Sequence, residues 1–230
     1  MKLIDEEYTR HPFLGTRRMT VYLKNMGYQI NRKRIQNLYQ RMGIEAVYQA
    51  PNLSKRNKEN TIYPYLLRGK VIRGCNEVWS TDITYIRLKK GFVYLMAIID
   101  WYSRYVLDWQ ISTTLEADFC VETLNRTLEH NKVPCDIFNT DQGAQFTSND
   151  FINVLKEYKI KISMDGRGRA LDNVFVERLW RSVKYECIYL KDFATVKSVH
   201  EALSEYFDYY NHRRFHQSLD YKTPAAVYLQ

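Results

Sequence analysis

Long apolar runs are missing from this 230-residue sequence. The longest strongly apolar segment, residues 93–99, ends at Asp100, whereas a helix that crosses a bilayer needs roughly 20 apolar residues. The first ten residues carry three acids, where a signal peptide would need an apolar core. These two absences argue against a membrane span and predict a protein that is made and kept in the cytosol.

Clustered cysteines are also missing, because the four cysteines lie far apart and none belongs to a C-x-x-C pair. The spacing indicates neither a zinc finger nor a disulfide framework, so we expect reduced thiols that pack as small hydrophobic groups. His212 and His216 stand four residues apart, as two ligands on one helix face would. A zinc site there is the weaker interpretation, because no third ligand is evident.

Acidic residues are scarce only in the first third of the chain. Residues 1–77 contain 15 Lys+Arg and 6 Asp+Glu, residues 78–170 contain 11 and 12, and residues 171–230 contain 8 and 8. The formal net charge of +8 therefore comes from a basic arm, and the body that follows is nearly neutral. A basic field attracts polyanions, so nucleic acid or an anionic membrane surface is a candidate partner.

The basic arm has the pattern of two short helices. Apolar residues recur at i, i+3, i+4 and i+7 within residues 19–26 and again within residues 35–42. Asn31 suits the N-cap of the second helix, and a glycine follows each helix. The pattern predicts a small all-α, helix-turn-helix-like region over residues 1–48.

Three consecutive basic residues occupy the first turn of the second predicted helix: Arg32, Lys33 and Arg34. If this helix docks on DNA, these side chains and the free backbone N–H groups can meet phosphates or base edges. The alternative is a solvated face on a small packing module. A polar, basic stretch bounded by two prolines follows, and it predicts a linker over residues 49–76.

β-branched and aromatic residues dominate the start of the body, residues 77–230. Three consecutive strands are predicted within residues 78–111, and helical and strand patterns then alternate up to a long helix from Asp172 onward. The predicted order is β-β-β-α-β-α-β-α, with a C-terminal helical tail. We expect an α/β fold of the ribonuclease-H-like type, in which helices flank a mixed sheet.

Three acids of the body are placed where they could bind metal ions. Asp82 lies inside the first predicted strand, and a buried aspartate is unfavourable unless it is paired or binds a cation. Asp141 follows the fourth strand and Glu177 lies on the long helix, so the three would converge at one point of the sheet. Oxygen ligands without cysteine or histidine suit Mg²⁺ or Mn²⁺, and two such ions could support an in-line displacement at phosphorus.

Each of these acids also has a structural interpretation: Asp82 as a satisfied core acid, Asp141 as a turn residue and Glu177 as an ion-pair partner of Arg181. The 35 residues between Asp141 and Glu177 prove little alone, because the chain has 13 Asp and 13 Glu. Asp100, which ends the second strand, competes as a metal ligand. A turn role is the simpler interpretation for it.

Five segments carry a resemblance to a known family: WSTDITYI, AIIDWYSR, NTDQGAQFTS, GRALDNVFVERLWRSVKYE and YYNHRRFHQSLDYKTPAAVY. Over about residues 10–228, the chain resembles the second reading-frame product of insertion-sequence family three, whose core is similar to retroviral integrases. The resemblance implies a ribonuclease-H-like fold with a DDE triad on the same three acids, whose 35-residue interval is the family's spacing. It also implies that Lys184 holds the DNA end. Arg181, on the same predicted helix, is expected to hold the DNA backbone as well, and the expected cofactor is two Mg²⁺ ions per site, replaceable by Mn²⁺.

The resemblance also implies a function. The expected enzyme is a transposase that cleaves a DNA strand at the end of its element and joins the 3′-hydroxyl to a second phosphodiester. Expected partners are double-stranded DNA of the transposon ends and target, an upstream-frame product that recognises the ends, and further copies of the chain. We expect it in the bacterial cytoplasm, associated with the nucleoid.

Two departures from the family pattern accompany the resemblance. Asn139 stands where many relatives carry histidine, a conservative change beside the expected metal site. Family frames also usually begin earlier, and the active enzyme is typically a fusion, so we expect a truncated or unfused product.

Two other functions fit the same residues. A DNA-binding protein without catalysis could occupy transposon ends and regulate the fused enzyme, but it would not need an intact triad. A generic ribonuclease-H-like nuclease would hydrolyse nucleic acid without strand transfer.

Overall fold

The computed structural model describes residues 1–47, 61–131, 133–166 and 173–230. The chain divides into two units, Met1–Leu53 and Ser54–Gln230, and each is treated by itself. The predicted boundaries at residues 48 and 76 stay predictions, and residues 48–60 of the predicted linker lie outside the described residues.

Three helices form the first unit: α1 (Lys2–Arg10), α2 (Thr16–Asn25) and α3 (Arg32–Met42). α2 and α3 confirm the two predicted helices. Asn31 caps α3, since its side chain accepts a hydrogen bond of 2.9 Å from the backbone N–H of Arg34. Gly43 ends the helix in the left-handed conformation, with φ 62°.

The sequence did not predict α1, which has few apolar residues. Ile4 is its buried side chain, and it packs with Met19 and Leu23 of α2. Ile35 and Tyr39 of α3 complete this small core. The tyrosine hydroxyl donates to the carbonyl of Leu14 at 2.8 Å, so its polar end is satisfied as well.

Five strands form one sheet in the second unit, in the order β3-β2-β1-β4-β5. Their bounds are β1 (Val78–Arg87), β2 (Phe92–Asp100), β3 (Val106–Ser112), β4 (Ile137–Thr140) and β5 (Lys161–Met164). β1 pairs with β2, and β2 with β3, in antiparallel hairpins. β1 pairs with β4, and β4 with β5, in parallel. The predicted strands and their mixed sheet are confirmed.

Helices cover both faces of the sheet, as predicted. The helices of the second unit are α4 (Asp118–His130), α5 (Asn149–Glu157), α6 (Val174–Glu186), α7 (Val196–His212) and α8 (Pro224–Tyr228). Successive side chains of a strand point to opposite faces. Trp79 and Ile83 therefore pack with α4 and α5, whereas Asp82 and Ile86 face α6 and α7.

α6 begins one residue after Asn173, and Asp172, where the long helix was predicted to start, lies outside the described residues. α6 ends at Glu186, and the longest helix that the structure describes is α7, with 17 residues. Two short 3₁₀ helices, Ile188–Leu190 and Gln217–Leu219, lie on either side of α7.

Residues 61–76, which were predicted as part of the linker, pack against the sheet within the second unit. The backbone N–H of Leu66 donates to Oγ of Ser163 at 3.1 Å. Leu67 is buried in a cluster with Val78 and Trp101. This stretch therefore helps to cover the sheet.

The four cysteines are free thiols, as predicted, and Cys120, Cys135 and Cys187 are buried. Among the residues that the structure describes, no helix is both long enough and apolar enough to cross a membrane.

Candidate active site

Two aspartates lie at the same level on adjacent parallel strands, Asp82 within β1 and Asp141 directly after β4. The β1–β4 ladder ends with Ser80 opposite Asn139, and Asp82 and Asp141 each lie two residues further along their chains. Neighbouring strands run about 4.8 Å apart. The parallel pairing therefore brings both carboxyl groups to the same edge of the sheet.

Asp82 is held by two donors on the face that carries α6. Its Oδ1 accepts from the backbone N–H of Ile83 at 2.7 Å, and its Oδ2 accepts from Nε1 of Trp180 at 3.0 Å. Burial raises the pKa of Asp82 from 3.8 to about 6, and the charges of Asp141 and, less strongly, Glu177 add to the rise, which the two hydrogen bonds oppose. The carboxylate is thus oriented but electrostatically unfavourable.

Asp141 sits in a loop that requires glycine. Its Oδ1 accepts from the backbone N–H of Gly143 at 2.8 Å. A Cβ atom at position 143 would lie only 2.9 Å from that same oxygen, so any other residue would displace the carboxylate. The side chain of Asp141 reaches solvent, yet partial burial raises its pKa.

Glu177 lies on the exposed side of α6, in its first turn. Two contacts with β1 fix the helix around it. Asn173, four residues earlier, donates its Nδ2–H to the carbonyl of Thr81 at 3.2 Å, and Trp180, three residues later, bonds to Asp82. These contacts place Glu177 near Asp82, whose pKa its charge helps to raise.

Asn173 and Trp180 were not predicted as site residues. Asn173 stands four residues before Glu177, a spacing that predicts the same polar face of the helix, but it is only 6% exposed. The position of Trp180 among the apolar residues of the helix predicts its burial, which the structure confirms, but it gives no sign of what the indole N–H will bind. Neither role could be recognised without the neighbouring strand.

Two buried acceptors near the acids have no hydrogen-bond partner within the described ranges: Oδ1 of Asn139 and Oδ1 of Asn173. Asn139 lies two residues before Asp141, and its Nδ2–H donates to Asp165 at 2.8 Å. Orphaned buried acceptors commonly mark the place of a water molecule or an ion.

The donors at this edge of the sheet fit a hard divalent cation. All of the acidic donors are carboxylate oxygens, which Mg²⁺ prefers, and Asp82 faces two further negative charges that a cation would offset. No three Asp, Glu, His or Cys side chains are gathered closely enough to hold an ion in the described part of the chain. The acids are thus near one another without forming a preassembled cage.

Asp100, the competing candidate, belongs to a turn, as predicted. It is fully buried, and its Oδ1 accepts from the backbone N–H of Asn76 at 2.8 Å. Its Oδ2 accepts from both the backbone N–H and the hydroxyl of Ser103, at 2.8 and 2.7 Å. Three hydrogen bonds satisfy this carboxylate, so it needs no metal ion.

The histidine pair does not share a helix face. α7 ends at His212, and His216 lies beyond the helix, where its ring is 3.2 Å from Nη1 of Arg214. Burial and the nearby positive charges lower the pKa of His216 to about 4. The structure gives no support to a zinc site there.

The basic residues predicted to bind DNA lie in three places. Arg32, Lys33 and Arg34 are exposed on the first turn of α3 in the first unit. In the second unit, Lys184 lines a groove of about 450 Å³ beside β1, with its Nζ 5.4 Å from the ring centroid of Tyr85. Arg181 lines a different groove on the same helix.

The HTH-like domain family matches residues 1–51, and the integrase core domain family matches residues 73–170, with a second integrase core domain family over residues 158–224. The putative transposase InsK for insertion sequence element IS150 of Escherichia coli strain K12 is 32% identical over 214 residues, which cover 91% of this chain and 75% of that one. This chain belongs to the integrase-core transposases of the IS3 family. The transposase of IS904 from Lactococcus lactis subsp. lactis strain IL1403 is 31% identical over 222 residues, with coverage of 91% and 85%.

Solved structures show the same fold as this transposase. The HTLV-2 integrase catalytic core domain in complex with magnesium superposes with a TM-score of 0.52 at 20% identity, covering 68% of this chain and 99% of that one. A chain of the simian T-cell lymphotropic virus intasome in complex with the PP2A regulatory subunit B56 gamma superposes with a TM-score of 0.60 at 17% identity, with coverage of 94% and 71%. The ribonuclease-H-like prediction is thereby confirmed.

Membership of the family supports a general activity. Transposases with an integrase core act on DNA in transposition and integration, which supports polynucleotidyl transferase activity, and the HTH-like domain supports DNA binding. Integrase cores generally use divalent metal ions.

Proposed function

We propose that this transposase cleaves a DNA strand at the end of its insertion sequence and transfers the exposed 3′-hydroxyl to a second phosphodiester, using Asp82, Asp141 and Glu177 as metal ligands. The observation that carries the proposal is the position of the two aspartates, which lie at the same level, Asp82 within β1 and Asp141 directly after the adjacent parallel strand β4. Glu177 lies near enough to raise the pKa of Asp82.

Two Mg²⁺ ions, replaceable by Mn²⁺, would activate the attacking water or 3′-hydroxyl and stabilise the leaving oxygen when bound at these acids. The chain's own residues supply the alignment. Ile83 and Trp180 hold Asp82 in one orientation, and Gly143 holds Asp141. Because no side chain needs to become a covalent nucleophile, the catalytic contribution of the protein is positioning and electrostatic stabilisation.

Basic side chains would hold the DNA backbone. Lys184 and Arg181 lie seven and four residues after Glu177 on α6, where they can contact phosphates on either side of the reacting bond. The first turn of α3 presents Arg32, Lys33 and Arg34 to solvent, as a recognition helix would. We also propose that the chain acts as a homo-oligomer on DNA and that an upstream-frame product supplies end recognition.

The triad is tested with Glu177→Gln on a labelled duplex that carries the terminal repeat of the element, in the presence of Mn²⁺. Loss of the negative ligand should abolish both nicking and strand transfer, whereas DNA binding should stay nearly unchanged. Glu157→Gln is the matched control, because Glu157 is exposed on α5, which packs on the opposite face of the sheet. This control should keep full activity.

The outcomes separate the competing functions. Full activity of Glu177→Gln contradicts the triad. A wild-type chain that binds the duplex but neither nicks nor joins it is a DNA-binding regulator. Nicking without joining identifies a nuclease.

The role of α3 is tested by the salt dependence of DNA binding. Arg34→Gln should reduce the slope of log affinity against log salt by about 0.9, the value for one phosphate contact. Arg41→Gln carries the same change at the other end of α3, where it is also exposed, and it should leave the slope unchanged. Equal effects of the two variants would contradict docking by the first turn.

A further inference from the structure

A basic groove runs along α6 on the side that faces residues 214–221. Its volume is about 650 Å³. Four arginines line it, and none of its lining residues is Asp or Glu: Arg104, Arg178, Arg181 and Arg214. Such a concentration of one charge is unfavourable unless anions offset it.

Among the residues that the structure describes, Arg214 is the one arginine of this groove that forms an ion pair. Arg214 donates from Nε and Nη2 to the two carboxylate oxygens of Glu186, at 2.8 and 2.7 Å. No carboxylate within the described ranges lies within 4.0 Å of the other three guanidinium groups. Three arginines of the groove therefore have no ion-pair partner in the described part of the chain.

Arg104 is the least expected member of this group. It is only partly exposed, and its backbone has φ 64°. Its guanidinium carbon lies 3.9 Å from the ring centroid of Phe175, and among the described residues the guanidinium makes one hydrogen bond, a long contact of 3.4 Å to the carbonyl of Tyr102. Burial lowers the pKa of Arg104; the charge of Asp100 opposes this shift, and the charge of Arg178 adds to it.

This arrangement suits phosphate. A guanidinium stacked on an aromatic ring is held in one orientation, and most of its N–H donors remain free for a planar or tetrahedral anion. Two exposed aromatic side chains stand at the groove, Phe215 at 69% and Tyr221 at 67% exposure. Arginines with exposed aromatic rings are the combination that nucleic acids recognise.

We propose that this groove binds the phosphate backbone of DNA, with Arg104, Arg178 and Arg181 as the donors. The proposal rests on the proposed function only in that DNA is the substrate, and it does not depend on the triad. At about 100° per residue, Arg178 lies roughly 100° around α6 from Glu177, while Lys184 lies in the separate groove beside β1. Strand transfer brings two DNA segments, the transposon end and the target, to one set of acids. The groove that contains Lys184 and the arginine groove give α6 a phosphate-binding surface for each segment.

The test measures the binding of the full chain to fluorescent duplexes without divalent metal, over a series of salt concentrations. Arg178→Gln should weaken binding about five- to tenfold at 0.1 M salt and lower the salt slope by about 0.9. Arg178→Lys keeps the charge and should keep the slope. Lys156→Gln is the control, since Lys156 is also exposed but lies on α5, on the opposite face of the sheet.

Two duplexes of equal length, one with the terminal repeat and one scrambled, identify the DNA segment. If Arg178→Gln loses the same affinity for both duplexes, the groove binds target DNA. If it loses affinity only for the duplex with the terminal repeat, the groove binds the transposon end. Wild-type affinity and slope for Arg178→Gln, or an equal loss for Lys156→Gln, would overturn the proposal. In this assay, without divalent metal, the Glu177→Gln variant should bind DNA like the wild type. A wrong assignment of the triad and a wrong assignment of the groove therefore give different results.

Discussion

The indole N–H of Trp180 donates a 3.0 Å hydrogen bond to Oδ2 of Asp82. The two residues are 98 positions apart in the chain, and the bond ties α6 to the strand β1 at the edge where Asp141 also lies. Because Glu177 precedes Trp180 by three residues on the same helix, the contact that orients Asp82 also fixes the helix that carries Glu177. One side chain thus couples two of the three acids.

Trp180→Phe should keep most of the packing and lose this bond. The bond favours the charged form of Asp82, so its loss should raise the pKa of that carboxyl above about 6 and move the acid limb of the strand-transfer pH profile to higher pH. The free energy of unfolding should fall by about 1 kcal/mol. Trp109→Phe is the control, because the indole N–H of this β3 tryptophan has no hydrogen-bond partner within the described residues. An unchanged acid limb in Trp180→Phe would show that the bond has no catalytic role.

Asp82→Asn should stabilise the metal-free protein at neutral pH. The folded-state pKa of about 6 lies above the ordinary 3.8, so the folded state holds a proton that the unfolded chain releases. The contribution of Asp82 to stability is therefore greatest below pH 3.8 and is lost as pH rises to 6, by about 3 kcal/mol. Urea unfolding at pH 4 and at pH 7.5 should show the variant's advantage growing with pH. Addition of Mg²⁺ at pH 7.5 should raise Tm in the wild type and not in the variant.

Asp100→Asn should destabilise the fold without a specific effect on metal binding. The amide cannot accept all three hydrogen bonds from Asn76 and Ser103, and a buried donor left without a partner costs about 2 kcal/mol. Urea unfolding should show this loss, while calorimetric titration of the folded variant with Mn²⁺ should match the wild type. Loss of Mn²⁺ binding in the folded variant would instead place Asp100 at the metal site.

Glu186→Gln should weaken the fold and strengthen DNA binding. Glu186 accepts from Arg214 and from the hydroxyl of Tyr206, so its neutralisation should lower the free energy of unfolding by about 1 kcal/mol. It would also leave Arg214, like the other three arginines of the groove along α6, without an ion-pair partner in the part of the chain that the structure describes, and the salt slope of DNA binding should rise by up to about 0.9. A loss of stability with an unchanged slope would remove Arg214 from the DNA contact surface.

Local patterns were sufficient to predict most elements of the fold. The strands β1 to β3 are rich in β-branched and aromatic residues, and Asn31 and Gly43 mark the ends of α3 by their own conformational preferences. α1 could not be predicted in the same way, because Ile4 is its one buried side chain. Its helix is stabilised by packing on α2, which a local pattern does not contain.

The sequence by itself determined most of the elements, the basic arm and the three acids, since each depends on residue type and on spacing along a few turns or one strand. The alignment of Asp82 with Asp141 on neighbouring strands, the indole bond of Trp180 and the contact of Arg104 with Phe175 were decided only by the tertiary structure. These contacts join residues from distant elements, and their existence depends on strand register and helix placement. Both follow from the burial of the whole sheet between its two helix layers, to which every strand and helix contributes.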